Sequence, residues 1–419
     1  MKPLFFSKLV VIISLAVASL SYGQSLRQQN GRWVGETKQT FAVQKTGKLT
    51  IRNVQGDVEM STWTKTQIDV RVICHMDIFS KEEAQEAMEQ IPSCFRQNGD
   101  ALVLDASQFQ RSWMSLDLVV ILPENFEADV SLEAGDMEIT GLKGALSCRT
   151  GAGDVDGSQL GGKVNIVTGG GDVDLTDVAG DVSVQTGGGD VEAGKVAGTM
   201  RVQTGGGDVD LSDIKKKTSV QTGGGEVGVS HCYDAVEIQT GGGEVSVAFC
   251  ESDVHVTTGG GEVECETVNG KLEVRTGGGS VTAEFVKGPV DVVTGGGNIE
   301  LNDVHSSVAA VSGGGDVEVS YALAQIDPNH SVDIQTSSGD IVLAIPGDFK
   351  ATVTIQVSSG KHNWSDHKIT SDFPLTLKTE TDWQGNEVLH AKGDLNGGGS
   401  PVVLKTSQGD VEIMKRESR

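Results

Sequence analysis

Proline is scarce in this sequence, at 8 of 419 residues, and Phe, Trp and Tyr together make up 5%. These shortages exclude a proline-rich disordered chain and argue against a large enzyme with an aromatic core. Positive charge is also short: 33 Lys and Arg stand against 58 Asp and Glu, a formal net charge of −25. Phosphate binding needs clustered basic residues, so nucleic acid is not an expected partner. Glycine is present in excess, with 56 residues, nearly twice the usual share, yet the composition does not fit collagen. Something regular and glycine-dependent is being built.

The main apolar run lies at the N-terminus. Lys2 and Lys8 supply a positive start, Leu9 to Ala18 an apolar stretch, and Ser21, Tyr22 and Gly23 a small-residue cleavage site. Residues 1–23 therefore read as a secretory signal peptide cleaved before Gln24. The apolar run is shorter than the ~20 residues a spanning helix needs. The expected mature protein is exported, periplasmic or at the cell surface, with no membrane span. Loss of the two leader lysines moves its charge balance to 31 − 58 = −27.

Thr-Gly-Gly-Gly recurs from Thr168, Thr186, Thr204, Thr222, Thr240, Thr258, Thr276 and Thr294, always 18 residues apart, with variants at Thr150 and Ser312. Degenerate copies start at Leu132 and, after a six-residue insertion, at Thr336. Aligning the copies gives apolar columns such as Val173, Val191, Val209 and Leu175, Ala193, Leu211, with acids between them. That alternation marks a strand with one wet face. A second strand follows in each copy, as at Val182 and Val184, and a further apolar column (Val178, Val196, Ile214, Cys232, Cys250) marks the second turn. The predicted fold is all-β, a parallel two-sheet β-solenoid of about twelve 18-residue coils, roughly 55 Å long at ~4.8 Å per strand. The glycine turns are expected to need conformations that a Cβ hinders and to let turns stack closely.

All five tryptophans lie outside the repeats, which places bulky residues in end caps. The expected organisation is a signal peptide (1–23), an N-terminal capping segment (24–131) with a helix near 80–91, the solenoid (132–345), and a C-terminal β cap (346–419). Ser80 and Glu83 form a capping box, Ala84, Ala87, Met88 and Ile91 an apolar stripe, and Pro92 a stop. Gly47 to Arg52 and Gly56 to Glu59 already read as an early coil, and Thr406, Gly409, Asp410 and Val411 as a late one.

The leader, the mixed N-terminal segment, the Gly-Asp-Val/Ile repeats and the closing Thr-Ser-Gln-Gly-Asp-Val-Glu-Ile resemble the bacterial putative-adhesin family, a domain of unknown function. The resemblance covers most of the mature chain. It implies a β-solenoid and an exported location, and it brings no catalytic residues.

Two acidic columns are the strongest functional signal. Asp136, Asp154, Asp172, Asp190 and Asp208 lead one, continued by Glu226, Glu244 and Glu262; Glu138, Asp156, Asp174, Glu192 and Asp210 form the other. Neighbours at ~4.8 Å cost just under ~1 kcal/mol per pair in bulk water, less in salt. The leading reading is a solvated face that keeps the rod soluble. A Ca²⁺-binding β-roll is the alternative, with the five aspartates that lead the first column and the five acids of the second as candidate ligands. The acid, however, follows the glycines directly, where β-rolls read Gly-Gly-x-Gly-x-Asp, and the other turn lacks matching acids. A flat carboxylate face could hold Ca²⁺ only weakly, through many waters.

Cys148, Cys232, Cys250 and Cys265 fall in inward columns as core filler. Cys74 and Cys94 flank the helix and are the disulfide candidates. The histidines show no ligand spacing; His362 and His367 with Asp366 form the nearest cluster. Phe249, Phe285 and Tyr321 share what reads as an exposed turn column. No nucleophile has an identifiable base. The reading is a non-enzymatic exported structural or adhesion-type protein presenting a rigid acidic rod to an envelope or extracellular protein or glycan, without a cofactor. A polysaccharide-active β-helix enzyme is the second alternative.

Overall fold

The computed structural model describes residues 22–110, 112–322, 330–358, 367–381 and 387–416. Alternating apolar residues become two long sheets laid face to face. In sheet A, Val155–Leu160, Val173–Val178, Val191–Val196 and Val209–Ile214 pair in parallel, each residue opposite the one 18 positions on, as in Val173↔Val191. Sheet B stacks Val164–Thr168, Val182–Thr186, Met200–Thr204 and Thr218–Thr222 in the same way. The register runs unbroken to Val290–Thr294 and Val308–Ser312, and Val332–Thr336 rejoins it after the longer connection. This is the two-sheet parallel β-solenoid that the periodicity predicts.

The core is one side-chain layer from each sheet. Val173, Leu175, Val178, Val182 and Val184 of a single coil are all buried, and burying a Val or Leu contributes roughly 1.5–3 kcal/mol. Where Gly157 takes an inward position, a Cβ would lie 2.7 Å from Leu175 Cδ2, so the larger neighbour fills the space. Cys148, Cys232, Cys250 and Cys265 are buried among these residues.

Both ends of the array are coils with additions. Lys48–Gln55 and Val58–Trp63 pair in parallel with Glu127–Ala134 and Met137–Thr140, so the repeat-like stretch after Gly47 is a coil. Sheet A then extends through Met114–Pro123, Gln67–Met76, Arg32–Ala42 and the edge strand Tyr22–Gln29, the last three joined antiparallel. The expected signal peptide falls almost wholly on residues 1–21, outside the described residues. The helix α1, Lys81–Gln90, is capped by Ser80, whose Oγ accepts the Glu83 N–H at 3.2 Å. Glu82, not Glu83, accepts the Ser80 hydroxyl, and a 3₁₀ turn containing Pro92 follows directly. Met88 packs on the sheet at Gly35, where an added Cβ would lie 2.2 Å from its Sδ.

At the far end the chain returns: Ser400–Thr406 inserts between Val332–Thr336 and Ala351–Ser358, and Val411–Arg416 pairs with Ile341–Pro346. The antiparallel strands Glu387–Leu395 and Thr376–Thr381 finish sheet B. Trp364 and Trp383 lie outside the described residues. Tyr321 corrects the exposed aromatic column. A register shift after Leu301 sets it opposite Val304, in the inward column, where it is fully buried and its hydroxyl donates to the Ser306 carbonyl at 2.8 Å.

Candidate functional site: ladders at the turns and on the sheet faces

The glycine-rich turn is built around a buried hydroxyl. Each repeat threonine closes a sheet-B strand and points inward, and its Oγ1 makes two bonds. Thr186 donates to the Gly171 carbonyl of the previous coil at 3.0 Å and accepts its own turn's Gly189 N–H at 3.1 Å. The same pair recurs from Thr168 to Thr336, and Ser312, the one replacement, makes both bonds with its own hydroxyl. Buried turn amides and carbonyls need such partners. The column of hydroxyl-only residues was the sequence sign of this role.

The glycines answer to stacking rather than to backbone conformation. A Cβ on Gly187 or Gly189 would lie 2.0 or 2.1 Å from a carbonyl oxygen of the coil before, whereas one on Gly188 meets nothing within 4 Å. No left-handed φ occurs in the repeat Gly-Gly-Gly turns from Gly169 to Gly315; among the equivalent turns of other coils it occurs at Gly56, Gly135 and Gly153. The middle position accordingly holds Ala152, Ser338 and Gln408 elsewhere in the chain; the third stays glycine in those three copies, while the first holds Ser337 and Ser407 in the two late ones.

The first acidic column is exposed, as a solvated face requires, and it is also a hydrogen-bond ladder. Asp136 Oδ1 accepts the Asp154 N–H at 2.9 Å, and Asp154, Asp172, Asp190 and Asp208 each accept the next coil's turn amide at 2.8 Å. Asp117 supplies the first rung, accepting the Asp57 N–H at 3.2 Å, and Asp57 the next, accepting that of Asp136 at 3.0 Å. Each such bond contributes roughly 0.5–1.5 kcal/mol at an exposed site, enough to offset the repulsion of just under ~1 kcal/mol per neighbouring pair. Only a short side chain reaches, and the chain obeys that limit. Beyond Glu226 the rungs lapse, then resume where Ser280 Oγ accepts the Asn298 N–H at 3.3 Å, Asn298 accepts that of Asp316 at 2.9 Å, and Asp316 that of Asp340 at 2.8 Å. Asp181 and Asp253 do the same at the other turn, toward Thr199 and Lys271 at 2.8 Å. Bonds from the Thr199 amide and hydroxyl hold the Asp181 carboxyl below its usual range.

The second column lies on the outward face of sheet A, Glu138, Asp156, Asp174, Glu192 and Asp210 standing opposite one another in strand register. Partial burial, then Asp174, Asp154, Glu138 and Asp136 in turn, push the Asp156 carboxyl above its usual range. Among the described residues no group of three or more His, Cys, Asp or Glu side chains gathers into a metal-ligating cluster.

Cys74 and Cys94 are free thiols here, both buried. Burial pushes Cys74, Cys148 and Cys265 up to about 12 and Cys232 up to about 11, so none is a ready nucleophile. His75 contacts Asp117 at 2.9 Å in the N-terminal segment, and His305 Nε2 lies 3.5 Å from Asp303. His362 and Asp366 lie outside the described residues. No helix among the described residues is long and apolar enough to cross a membrane, which says nothing of strands.

No curated protein matches this chain. It is similar to a solved structure described as a putative cell adhesion protein from Clostridium sporogenes ATCC 15579, at 9% identity and a TM-score of 0.22, over 91% of this chain and 100% of that one. Residues 230–414 match the family model described as Toastrack DUF4097, so the resemblance to a putative-adhesin-like family of unknown function holds over the later coils and the closing strands.

Proposed function

We propose that this chain is an exported, non-enzymatic structural or adhesion-type rod that presents a repeated surface to an envelope or extracellular protein or glycan. The observation carrying this reading is the pair of unbroken parallel ladders, which hold chemically repeated side chains at a fixed pitch of ~4.8 Å over many coils. Repeat arrays of this kind make extended recognition surfaces, because each coil contacts only its neighbours and the same face recurs. The leader-like N-terminus supports export. The acidic columns favour a role at a wet surface and disfavour association with anionic polymers on that side.

The test is saturable binding of the labelled mature protein to intact cells and isolated envelopes of the organism that makes it, alongside assay of reducing ends released from acidic polysaccharides. Saturable binding with no new reducing ends is expected. Absence of binding would overturn the presentation role, and release of reducing ends would replace it with the enzyme reading.

A further inference from the structure

The two faces of the rod differ in charge. Over the coils from 146 to 222, the outward positions of sheet B hold Ser147, Arg149, Asn165, Val167, Ser183, Gln185, Arg201, Gln203, Ser219 and Gln221, with no carboxylate among them. The same coils carry the acidic column on sheet A. In a chain of net charge −25, these five strands of sheet B are therefore neutral to basic on their outward face.

A groove of about 450 Å³ lies on this face, walled by Thr199, Arg201, Gln203, Ser219, Gln221 and Gln239. Strand register stacks Gln185, Gln203, Gln221 and Gln239 into one amide row, and Gln203 Nε2 donates to Gln221 Oε1 at 3.2 Å. Lys217 and Glu237 at its rim pair with each other at 3.1 Å. Arg201 makes no ion pair among the described residues and is exposed. The groove thus offers one uncompensated guanidinium beside rows of amides and hydroxyls.

We propose that this face binds an acidic polysaccharide, with Arg201 taking a sugar carboxylate and the amide row taking hydroxyls. A guanidinium pairs with carboxylate through two parallel N–H bonds, and glutamine and serine both donate and accept, as hydroxyl-rich ligands require. A peptide fits less well. The exposed lining has no apolar pocket to anchor a side chain, and these strands are interior to the sheet, so no free edge is available for strand addition. The inference rests on the presentation reading above and deepens it.

The test uses the full mature chain titrated with oligomers of polygalacturonate, alginate and hyaluronan, with methyl-esterified polygalacturonate, dextran and polyglutamate as comparisons. Saturable binding to at least one acidic polysaccharide is expected, lowered at least tenfold by Arg201→Gln and left unchanged by Asp174→Asn on the opposite face. A Gln221→Ala variant should weaken binding without altering the dependence on carboxylate. Binding to none of the three, equal binding by Arg201→Gln, or tighter binding to polyglutamate would overturn the proposal, the last in favour of an acidic peptide. Envelope binding that survives Arg201→Gln would leave presentation standing and this site refuted, which separates the two failures.

Discussion

Two effects meet at Asp190, and substitution separates them. Its Oδ1 accepts the Asp208 N–H at 2.8 Å, while its charge repels its column neighbours by just under ~1 kcal/mol each in bulk water at ~4.8 Å. Asp190→Asn removes the repulsion and keeps an acceptor, as Asn298 does naturally for Asp316 at 2.9 Å. Asp190→Ala removes both. The Asn and Ala variants therefore share the electrostatic gain and differ by the hydrogen bond alone, about 1 kcal/mol in favour of Asn. That difference should persist at every salt concentration. The gain of Asn over the native residue should fade as the screening length falls from ~30 Å at 0.01 M to ~8 Å at physiological ionic strength. Glu244 is the control: the turn amide of Glu262 receives no side-chain bond among the described residues, so Gln and Ala at 244 should match. Repeat arrays depart from all-or-none unfolding, so the deciding assay is hydrogen exchange at the Asp208 amide. The Ala variant should exchange about fivefold faster, the equivalent of about 1 kcal/mol. Equal exchange in the Asn and Ala variants, with equal midpoints, would refute the ladder.

Gly189→Ala should destabilise by about 1–3 kcal/mol or more, because its Cβ would lie 2.1 Å from the Gly171 oxygen; Gly188→Ala, with open space, should be neutral or gain about 0.4–1 kcal/mol, and thermal melts of the pair check this. Asp156 binds its proton more tightly folded than unfolded, so its charge costs stability above the folded pKa and costs nothing below the unfolded one; Asp156→Asn should stabilise at neutral pH, with the gain vanishing in melts as pH falls through the carboxylate range. The buried thiols should resist a thiol reagent at pH 8 in the folded chain, and all six should react after unfolding without reductant; protection of Cys74 and Cys94 alone, mapped by peptide, would place a disulfide between them. Millimolar Ca²⁺ should raise the melting temperature no more than NaCl at matched ionic strength, and the chain should stay folded in EDTA; saturable stabilisation exceeding that by Mg²⁺ would make the acidic columns a calcium site.

The period and the inward columns were legible because burial in a thin slot leaves an apolar residue no alternative. Val173, Leu175 and Val178 announce their direction by type alone. The corner at Tyr321 was not legible, since a register shift moves a residue from one face to the other without changing the spacing that precedes it. The ladder of acids was half legible. Charge made the column visible, but the hydrogen bond depends on side-chain length, and the clue was the restriction to Asp, Asn and Ser wherever a rung forms. Glycine misled in a different way. Its usual meaning is a left-handed turn, and here the cause is the approach of one coil's backbone to the next, which only the stacked structure reveals. The groove at Arg201 left little trace in sequence, because its basic character comes from missing carboxylates across five coils rather than from a motif.

The array contains two kinds of coil, although every copy is the same length. From Gln159 through Asp213 the residue before the second corner is left-handed, with φ of 55–56°, and Asp, Lys and Gln fill that position. His231, Phe249, Thr267 and Phe285 occupy the equivalent place without a left-handed φ, and Asp303 returns to it at 46°. Phe and Thr disfavour that region while His tolerates it, so side-chain type accounts for the geometry at Phe249, Thr267 and Phe285 and not at His231. Aspartate rungs at the other turn lapse over the same stretch, between Glu226 and Ser280. Both turns therefore change chemistry together near residue 230 and change back together near residue 300. The carboxylate-free sheet-B face and its Arg201 groove lie almost wholly in the earlier section. A stacked fold lets one section keep the pitch while its turns are rebuilt, and here the surface chemistry proposed for recognition sits in the section that carries the first run of aspartate rungs.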